Sequence, residues 1–243
     1  MSSQPTAVVI VIGNEILSGK TQDANIGFLG AELAAAGIAL HEAIVIRDDQ
    51  DTIVKTVRYY AKRHTYVFTT GGIGPTHDDI TAQAVAAAFD TQLELNEQAA
   101  QAIGGDRDHP RMRMAMIPPE AILIENSVSR APGFQLHNVF VLAGVPKIAQ
   151  AMFDALRPRL RGGAAIVSAN ADVYLPESEI AVALTQIADD NKDVEIGSYP
   201  FSRDGRFGAN LVVRGVDPTR VDAVLQRIVE AMRALDAEVV PHA

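Results

Sequence analysis

The stretch Thr69-Thr70-Gly71-Gly72-Ile73-Gly74-Pro75-Thr76-His77-Asp78-Asp79 gathers the residue types that bind an anion. An apolar run ends in two hydroxyls, and glycines then permit positive φ and close backbone approach before a helical pattern begins. Backbone N–H groups at such a turn, together with a helix N-terminus, offer a site for phosphate or carboxylate. No Lys follows the last glycine, so this is not a Walker loop, and the spacing is not G-x-G-x-x-G. The same residues read equally well as a tight turn in which Asp78 or Asp79 caps the following helix.

Carboxylates at other predicted strand ends favour the chemical reading. Gly13-Asn14-Glu15 follows the first apolar run and Asp48-Asp49 the second. In a parallel sheet these C-terminal strand ends share one edge, where α/β proteins bind ligands. Carboxylates beside an anion cradle repel the ligand unless a cation lies between them, and all-oxygen donors suit Mg²⁺ or a similar hard divalent ion. Loop carboxylates also serve simply as solvated caps, the class to which Asp49 and Asp51 are assigned. The histidines (His41, His64, His77, His109, His137 and His242) form no i,i+4 pair and no H-E-x-x-H pattern, which argues against zinc. His77 is read as a proton-transfer aid or as an exposed loop residue. Arg107, Arg111 and Arg113 form a basic loop, either within reach of a second phosphate or solvated. No G-x-S-x-G elbow is present, which argues against a serine hydrolase of the α/β type.

The elements that must position these groups alternate strand and helix. Ala7–Ile12 is a continuous β-branched run, the mark of a strand covered on both faces. A helix is expected over residues 24–36, with Asp23 as N-cap and Gly37 as stop. Strand Ala39–Ile46, helix Asp51–Arg63, strand Tyr66–Thr70 and an Ala-rich helix over Asp79–Phe89 follow. Residues 90–138 are less regular, with a helix near Asn96–Ile103, a Gly/Arg/Pro-rich loop at 104–119 and a short strand at Ala121–Ile124 before a hairpin. Val139–Leu142 is another buried strand, and the helix after Pro146 is expected to reach about Leu160. This alternation predicts a three-layer α/β/α domain with a mostly parallel sheet over residues 1–161. Arg161-Gly162-Gly163 reads as a linker. Residues 164–243 then follow a β-α-β-β-α-β order, the ferredoxin-like α+β pattern, with strands Asp172–Leu175, Val194–Tyr199, Phe207–Arg214 and Ala237–Val240 and helices Glu177–Asp190 and Asp217–Leu235.

Composition narrows the chemistry further. The 243 residues are 48% hydrophobic and 21% charged, enough apolar content for full cores. The net charge of −9 repels polyphosphate backbones and 13 aromatics leave little for base stacking, which argues against nucleic acid. The absence of cysteine removes disulfides, thiolate metal sites and thiol nucleophiles together. The N-terminus, Met1-Ser2-Ser3-Gln4-Pro5-Thr6, lacks the basic start of a signal peptide, and no run approaches the roughly 20 apolar residues of a membrane helix. A cytoplasmic protein is expected.

Gly13-Asn14-Glu15-Ile16-Leu17, with Gly19 and Asp23-Ala24-Asn25, resembles the opening motif of the molybdopterin-binding (MoCF biosynthesis) domain in its CinA-type branch. Thr70-Gly71-Gly72-Ile73-Gly74-Pro75-Thr76-His77-Asp78-Asp79-Ile80-Thr81 is similar to the signature of that domain. Ala143-Gly144-Val145-Pro146 resembles its closing turn, with Ala143 where Pro is usual, and Ile196-Gly197-Ser198-Tyr199-Pro200 resembles the small domain that follows in CinA-like proteins. The resemblance implies Asp79 and Asp48 as catalytic carboxylates and Asp79, Asp48 and Glu15 as metal ligands. It implies a ligand surface made by Gly13, Asn14, Glu15, Asn25, Thr70, Gly71, Gly72, Gly74, Asp78, Gly144 and Pro146. Expected cofactors are Mg²⁺ or Co²⁺ with K⁺, and expected partners are a small-molecule nucleotide or pterin and further copies of the chain, with no nucleic acid and no membrane. The implied activity is metal-dependent cleavage of ADP-ribose or a related nucleotide diphosphate. Molybdopterin binding or adenylylation, and a non-catalytic binding module, are the alternatives. These 243 residues leave no room for the nicotinamide-mononucleotide deamidase domain usual in CinA, so that activity is not expected.

Overall fold

A computed structural model of the protein describes residues 4–203 and 205–242; the polar start Met1-Ser2-Ser3, Asp204 and Ala243 lie outside the described residues. The chain divides into two compact units, Met1–Gly163 and Ala164–Ala243.

The first unit runs β1 (Thr6–Ile12), α1 (Asn14–Leu17), α2 (Asn25–Ala35), β2 (Ala39–Ile46), α3 (Gln50–Ala61), β3 (Tyr66–Thr70) and α4 (Thr81–Ala88). It continues through β4 (Glu94–Leu95), α5 (Glu97–Ile103), a 3₁₀ helix (Pro110–Ala115), β5 (Met116–Ile117), β6 (Ile122–Ile124), β7 (Gly133–Leu136), β8 (Val139–Leu142) and α6 (Pro146–Leu156). Six strands make one sheet in the order β2-β1-β3-β8-β7-β6, parallel across β2, β1, β3 and β8 and antiparallel beyond.

Strand β1 shows why this sheet has helices on both faces. Successive side chains of a strand point to opposite sides, so its apolar run splits by parity. Val8, Ile10 and Ile12 pack with Ile53 and Val57 of α3 and Val85 of α4. Ala7, Val9 and Val11 pack with Leu29 and Leu33 of α2 and Phe153 of α6. Each large apolar side chain, fully buried, contributes about 1.5–3 kcal/mol, and both halves of β1 draw on it.

Two helix ends and one strand pair of this unit differ from the pattern expected of the sequence. Helix α4 begins at Thr81, with Ile80 at the cap position, because Asp79 is held in the preceding turn and not at a helix terminus. Helix α6 stops at Leu156 and gives way to a 3₁₀ turn over Arg157–Arg159, since Pro158 supplies no N–H to continue it. Between residues 90 and 138 a short β4–β5 pair, which no alternation in the sequence announces, closes off α5. The N-cap position of α2 is Ala24, one residue after the expected Asp23, whose side chain still accepts the Ile26 N–H at 2.8 Å; Gly37 follows that helix at φ +71°.

The second unit contains β9 (Val167–Val173), α7 (Glu177–Asp190), β10 (Glu195–Arg203), β11 (Arg206–Gly215), α8 (Pro218–Arg233) and β12 (Val239–His242). Its sheet order, β10-β11-β9-β12, is antiparallel throughout. Strand β9 starts five residues before the expected Asp172, because Ala169 and Ala171 face the helices without forming a recognisable apolar run. Ala171, Leu211 and Val213 pack against Ile180, Val224 and Ile228. On β9 the neighbouring Asp172 is 2% exposed and is held by Asn210 at 2.7 Å, by His242 at 2.9 Å and by Arg203.

Burial pushes the Asp172 carboxyl up, but the hydrogen bonds from Asn210, His242 and Arg203 outweigh it and hold the group below its ordinary value. A depressed carboxyl contributes stability above its unfolded pKa, and that contribution is lost as pH falls through the folded value. Asp172→Ala should therefore destabilise the second unit by roughly 1–3 kcal/mol at neutral pH, with the deficit shrinking below about pH 4. Thermal melts across pH check this; a deficit that persists undiminished in acid would contradict it.

Candidate functional site

Strand β2 lies on one side of β1 and β3 on the other, so the loops after β1 and β3 diverge at a switch point of the sheet. Such crevices at C-terminal strand ends are where open α/β sheets bind ligands. Three loops meet there, those following β1, β3 and β8.

Gly71 and Gly72 set the shape of the meeting. Gly71 has φ +100°, and a β-carbon on it would lie 2.1 Å from the Ile12 carbonyl oxygen. Its N–H donates to the Leu142 carbonyl at 3.2 Å, tying the end of β3 to the end of β8. Gly72 has φ +65°, and a β-carbon there would lie 2.2 Å from Thr81 Oγ1. Its carbonyl accepts the Thr81 N–H at 3.0 Å, which starts α4 against the turn. No other residue type fits either place without movement of the surrounding atoms.

A cleft of about 510 Å³ opens over these turns, lined among others by Glu15, Gly71, Gly72, Gly74, Asp79, Gly144 and Pro146. Asp79 Oδ2 accepts the Thr76 N–H at 2.8 Å and the Thr76 hydroxyl at 2.6 Å, which fixes its carboxylate beside Gly74. The Glu15 carboxylate folds back over Gly13. Asn25 is 3% exposed and donates to the Gly144 carbonyl at 2.9 Å, so it holds the third loop in place and does not line the cleft. In that loop the Ala143 N–H points to Met152 Sδ at 3.4 Å, a contact that Pro cannot make. Thr70 is fully buried beneath the turn, and its hydroxyl, like that of Thr81, has no hydrogen-bond partner among the described residues.

Asp48, Asn14 and Asp78 do not enter the cleft. Asp48 Oδ2 accepts the Asn14 N–H at 2.7 Å, so this carboxylate braces the loop after β1 and lies outside the lining. Asp78 and His77 are exposed on the outer side of the turn, 4.0 Å apart. Asp49 is a cap, accepting from the Thr52 N–H at 2.9 Å and hydroxyl at 2.6 Å, and these bonds lower its carboxyl pKa. Asn126, Ser129 and Met114 also line the cleft, and no motif in the sequence marks them. The loop that carries Asn126 and Ser129 folds around Asn126, whose amide donates to Ser129 Oγ and the Ala131 carbonyl.

Among the described residues no group of three or more His, Asp or Glu side chains is placed to hold a metal ion. Glu15 and Asp79 are the two carboxylates of the cleft. Mg²⁺ commonly takes one or two carboxylates and completes its shell with water and substrate phosphate. Two carboxylates are fewer than a resident structural metal needs and match the number that Mg²⁺ takes when substrate phosphate completes its shell.

A mostly parallel sheet with helices on both faces and a cleft at its switch point defines an α/β domain of three layers. Residues 8–162 match the family described as a probable molybdopterin binding domain, and residues 165–239 match the middle domain of FAD synthase. The chain belongs to the molybdopterin-binding (MoCF biosynthesis) domain family. A protein from Aeropyrum pernix is 33% identical over 253 residues, covering 97% of this chain and 93% of that one. A probable FAD synthase of Caenorhabditis elegans is 30% identical over 265 residues, covering 96% of this chain; the chain spans 51% of that relative. Among solved structures, the protein CinA of unknown function from Thermoplasma acidophilum aligns at 35% identity and a TM-score of 0.61, covering 65% of this chain and 99% of that one.

Gly105 provides an internal control for the Gly71 wedge, because it shares φ +100° but a β-carbon on it would meet nothing within 4 Å. Gly105→Ala should cost only the backbone strain of about 1–3 kcal/mol. Gly71→Ala should cost a further ~1–3 kcal/mol for displacing the Ile12 carbonyl. Urea unfolding of both variants measures the difference, and equal losses would remove the steric argument.

Proposed function

We propose that the chain is a metal-dependent hydrolase of nucleotide diphosphates, acting on ADP-ribose or a related adenine dinucleotide such as FAD. The observation that carries this reading is the glycine turn flanked by Glu15 and Asp79 in one cleft. Backbone N–H groups at such a turn suit phosphate oxygens and leave no side chain in the way. Relatives named for FAD synthase lend support, since FAD carries the same diphosphate linkage.

In the reaction, water attacks one phosphorus in line with the bridging oxygen, the P–O bond to that oxygen breaks, and two monophosphates leave. A bound divalent ion, Mg²⁺ or Co²⁺ with K⁺ as an accessory, would neutralise diphosphate charge and acidify a bound water. The chain's own contribution is to seat the phosphates on the turn and to present Asp79 beside them. The Thr76 hydrogen bonds occupy Asp79 Oδ2, and Oδ1 remains for a cation or a proton. Molybdopterin binding or adenylylation is the second reading, favoured by the description of the family that residues 8–162 match.

Asp79→Asn keeps an oxygen for both Thr76 hydrogen bonds and removes only the charge. It should leave the melting temperature unchanged and lower turnover by roughly 10²–10⁴-fold. The assay is a screen of ADP-ribose, FAD and molybdopterin with Mg²⁺, Co²⁺ and K⁺, read by chromatography of the nucleotide products. Wild-type turnover by Asp79→Asn would remove Asp79 from the chemistry. Molybdopterin binding without cleavage of either dinucleotide would replace this reading by the second.

The two-carboxylate donor set carries its own expectation. Calorimetric titration of the protein with Mg²⁺ alone should show at most millimolar affinity, and addition of ADP-ribose should strengthen it at least tenfold. Tight metal binding in the absence of any anion would instead indicate a complete protein-only site.

A further inference from the structure

Two cavities meet at the 72–74 turn. Gly72, Gly74 and Asp79 line the 510 Å³ cleft and also a second cavity of about 320 Å³. The cleft has no cationic side chain in its lining, whereas the second cavity contains Arg113. The remaining walls of that cavity include Gln83, Leu93, Met116 and Phe134, an apolar surface with one amide at its edge.

Arg113 is set in this position by its neighbours. It lies in the 3₁₀ helix Pro110–Ala115, where residues three apart share a face. Met112 and Ala115 are buried against Ala99, Ala100 and Ile103 of α5, which leaves Arg113 on another face. Its Nη2 donates to the Asp79 backbone carbonyl at 3.2 Å, so the guanidinium stands at the rim of the turn. The other two arginines of this loop are engaged elsewhere, Arg107 with Glu97 at 2.7 Å and Arg111 with the Ser129 carbonyl at 3.2 Å. Arg113 makes no ion pair among the described residues, and four of its five N–H donors remain for a ligand.

We propose that Arg113 is a second phosphate clamp and that the ligand is two-ended: a diphosphate laid over the 72–74 turn, with one organic arm in each cavity. This rests on the diphosphate reading above and adds to it the residue that holds the second phosphate and the place of each organic arm. The turn flanked by Glu15 and Asp79 serves one phosphate, and the guanidinium, whose planar fork matches phosphate geometry, serves the other. The 320 Å³ cavity is of a size for a single ring system, with Gln83 as the polar contact at its edge.

The test compares wild type, Arg113→Gln and Arg113→Lys in calorimetric titrations with inorganic phosphate, inorganic pyrophosphate, AMP and ADP-ribose. Wild type should bind pyrophosphate at least tenfold more tightly than phosphate. Arg113→Gln should abolish that preference and weaken ADP-ribose about tenfold, with phosphate and AMP affinity within twofold of wild type and an unchanged melting temperature. Arg113→Lys should restore part of the preference through its charge. Equal weakening of phosphate and pyrophosphate by Arg113→Gln would show that the residue only supports the turn through the Asp79 carbonyl. Unchanged pyrophosphate binding, or no pyrophosphate preference in wild type, would also overturn the clamp. If pyrophosphate behaves as expected while no dinucleotide is cleaved, the hydrolase reading fails and the clamp stands. If dinucleotides are cleaved with no effect of Arg113→Gln, the reverse holds.

Discussion

The absence of a side chain at Gly71 is the constraint on which the cleft depends. Its backbone lies where a β-carbon would meet the Ile12 carbonyl, and its N–H bonds to Leu142. A β-carbon on Gly144 would come within 3.2 Å of the Gly71 α-carbon. The ends of β1, β3 and β8 therefore converge at one residue. The parallel ladders that bring them there, Val11 beside Thr70 and Thr70 beside Leu142, are specified by burial on both faces of the sheet. A one-residue slip would exchange the two apolar sets of β1 and separate Gly71 from its partners. Core packing and the geometry of the cleft are thus the same requirement in this domain.

The turn also leaves polar groups uncompensated. Thr70 Oγ1, Thr81 Oγ1 and Asn25 Oδ1 are buried without a hydrogen-bond partner among the described residues. An unsatisfied buried polar atom costs about 1–3 kcal/mol, and three of them surround a single strand-to-helix transition. Thr81 lies against Gly72, and Asn25 holds Gly144 with its amide while its oxygen remains unused.

The sequence was most legible where chemistry and secondary structure coincide in consecutive residues. The β-branched run of β1, the hydroxyls ending β3 and the glycines after them form one continuous signal, and the structure places Gly71, Gly72, Gly74, Asp79, Glu15, Gly144 and Pro146 around one cleft. Roles fixed by distant contacts were not legible. Asp48 reads as a strand-end carboxylate, but its partner is a backbone N–H thirty-four positions away, so it braces and does not line. Asp79 reads as a helix cap, yet Thr76 claims its oxygen first and the helix waits until Thr81. Asn126 and Ser129 sit in an irregular segment whose path depends on tertiary packing, and no periodicity announces them. Arg113 could be singled out with its two neighbours; which of the three faces the turn was decided by the burial of Met112 and Ala115.

The charges of the first unit's site form an ordered series. Glu15 and Asp79 line one cavity, Asp79 is shared with the next, and Arg113 stands beyond it. Two carboxylates near an anion cradle disfavour a bare phosphate, and a single guanidinium offsets only one of the two charges. On the reading proposed above, a divalent ion arriving with the phosphates would remove this imbalance, and two carboxylates alone would make its arrival depend on them. The same imbalance disfavours a small free anion, which would face the carboxylates without reaching Arg113. A ligand long enough to touch both Asp79 and Arg113 would gain the cation at one end and would bring metal to the other. The proposed selectivity for a diphosphate rests on how charge is distributed along the 72–74 turn.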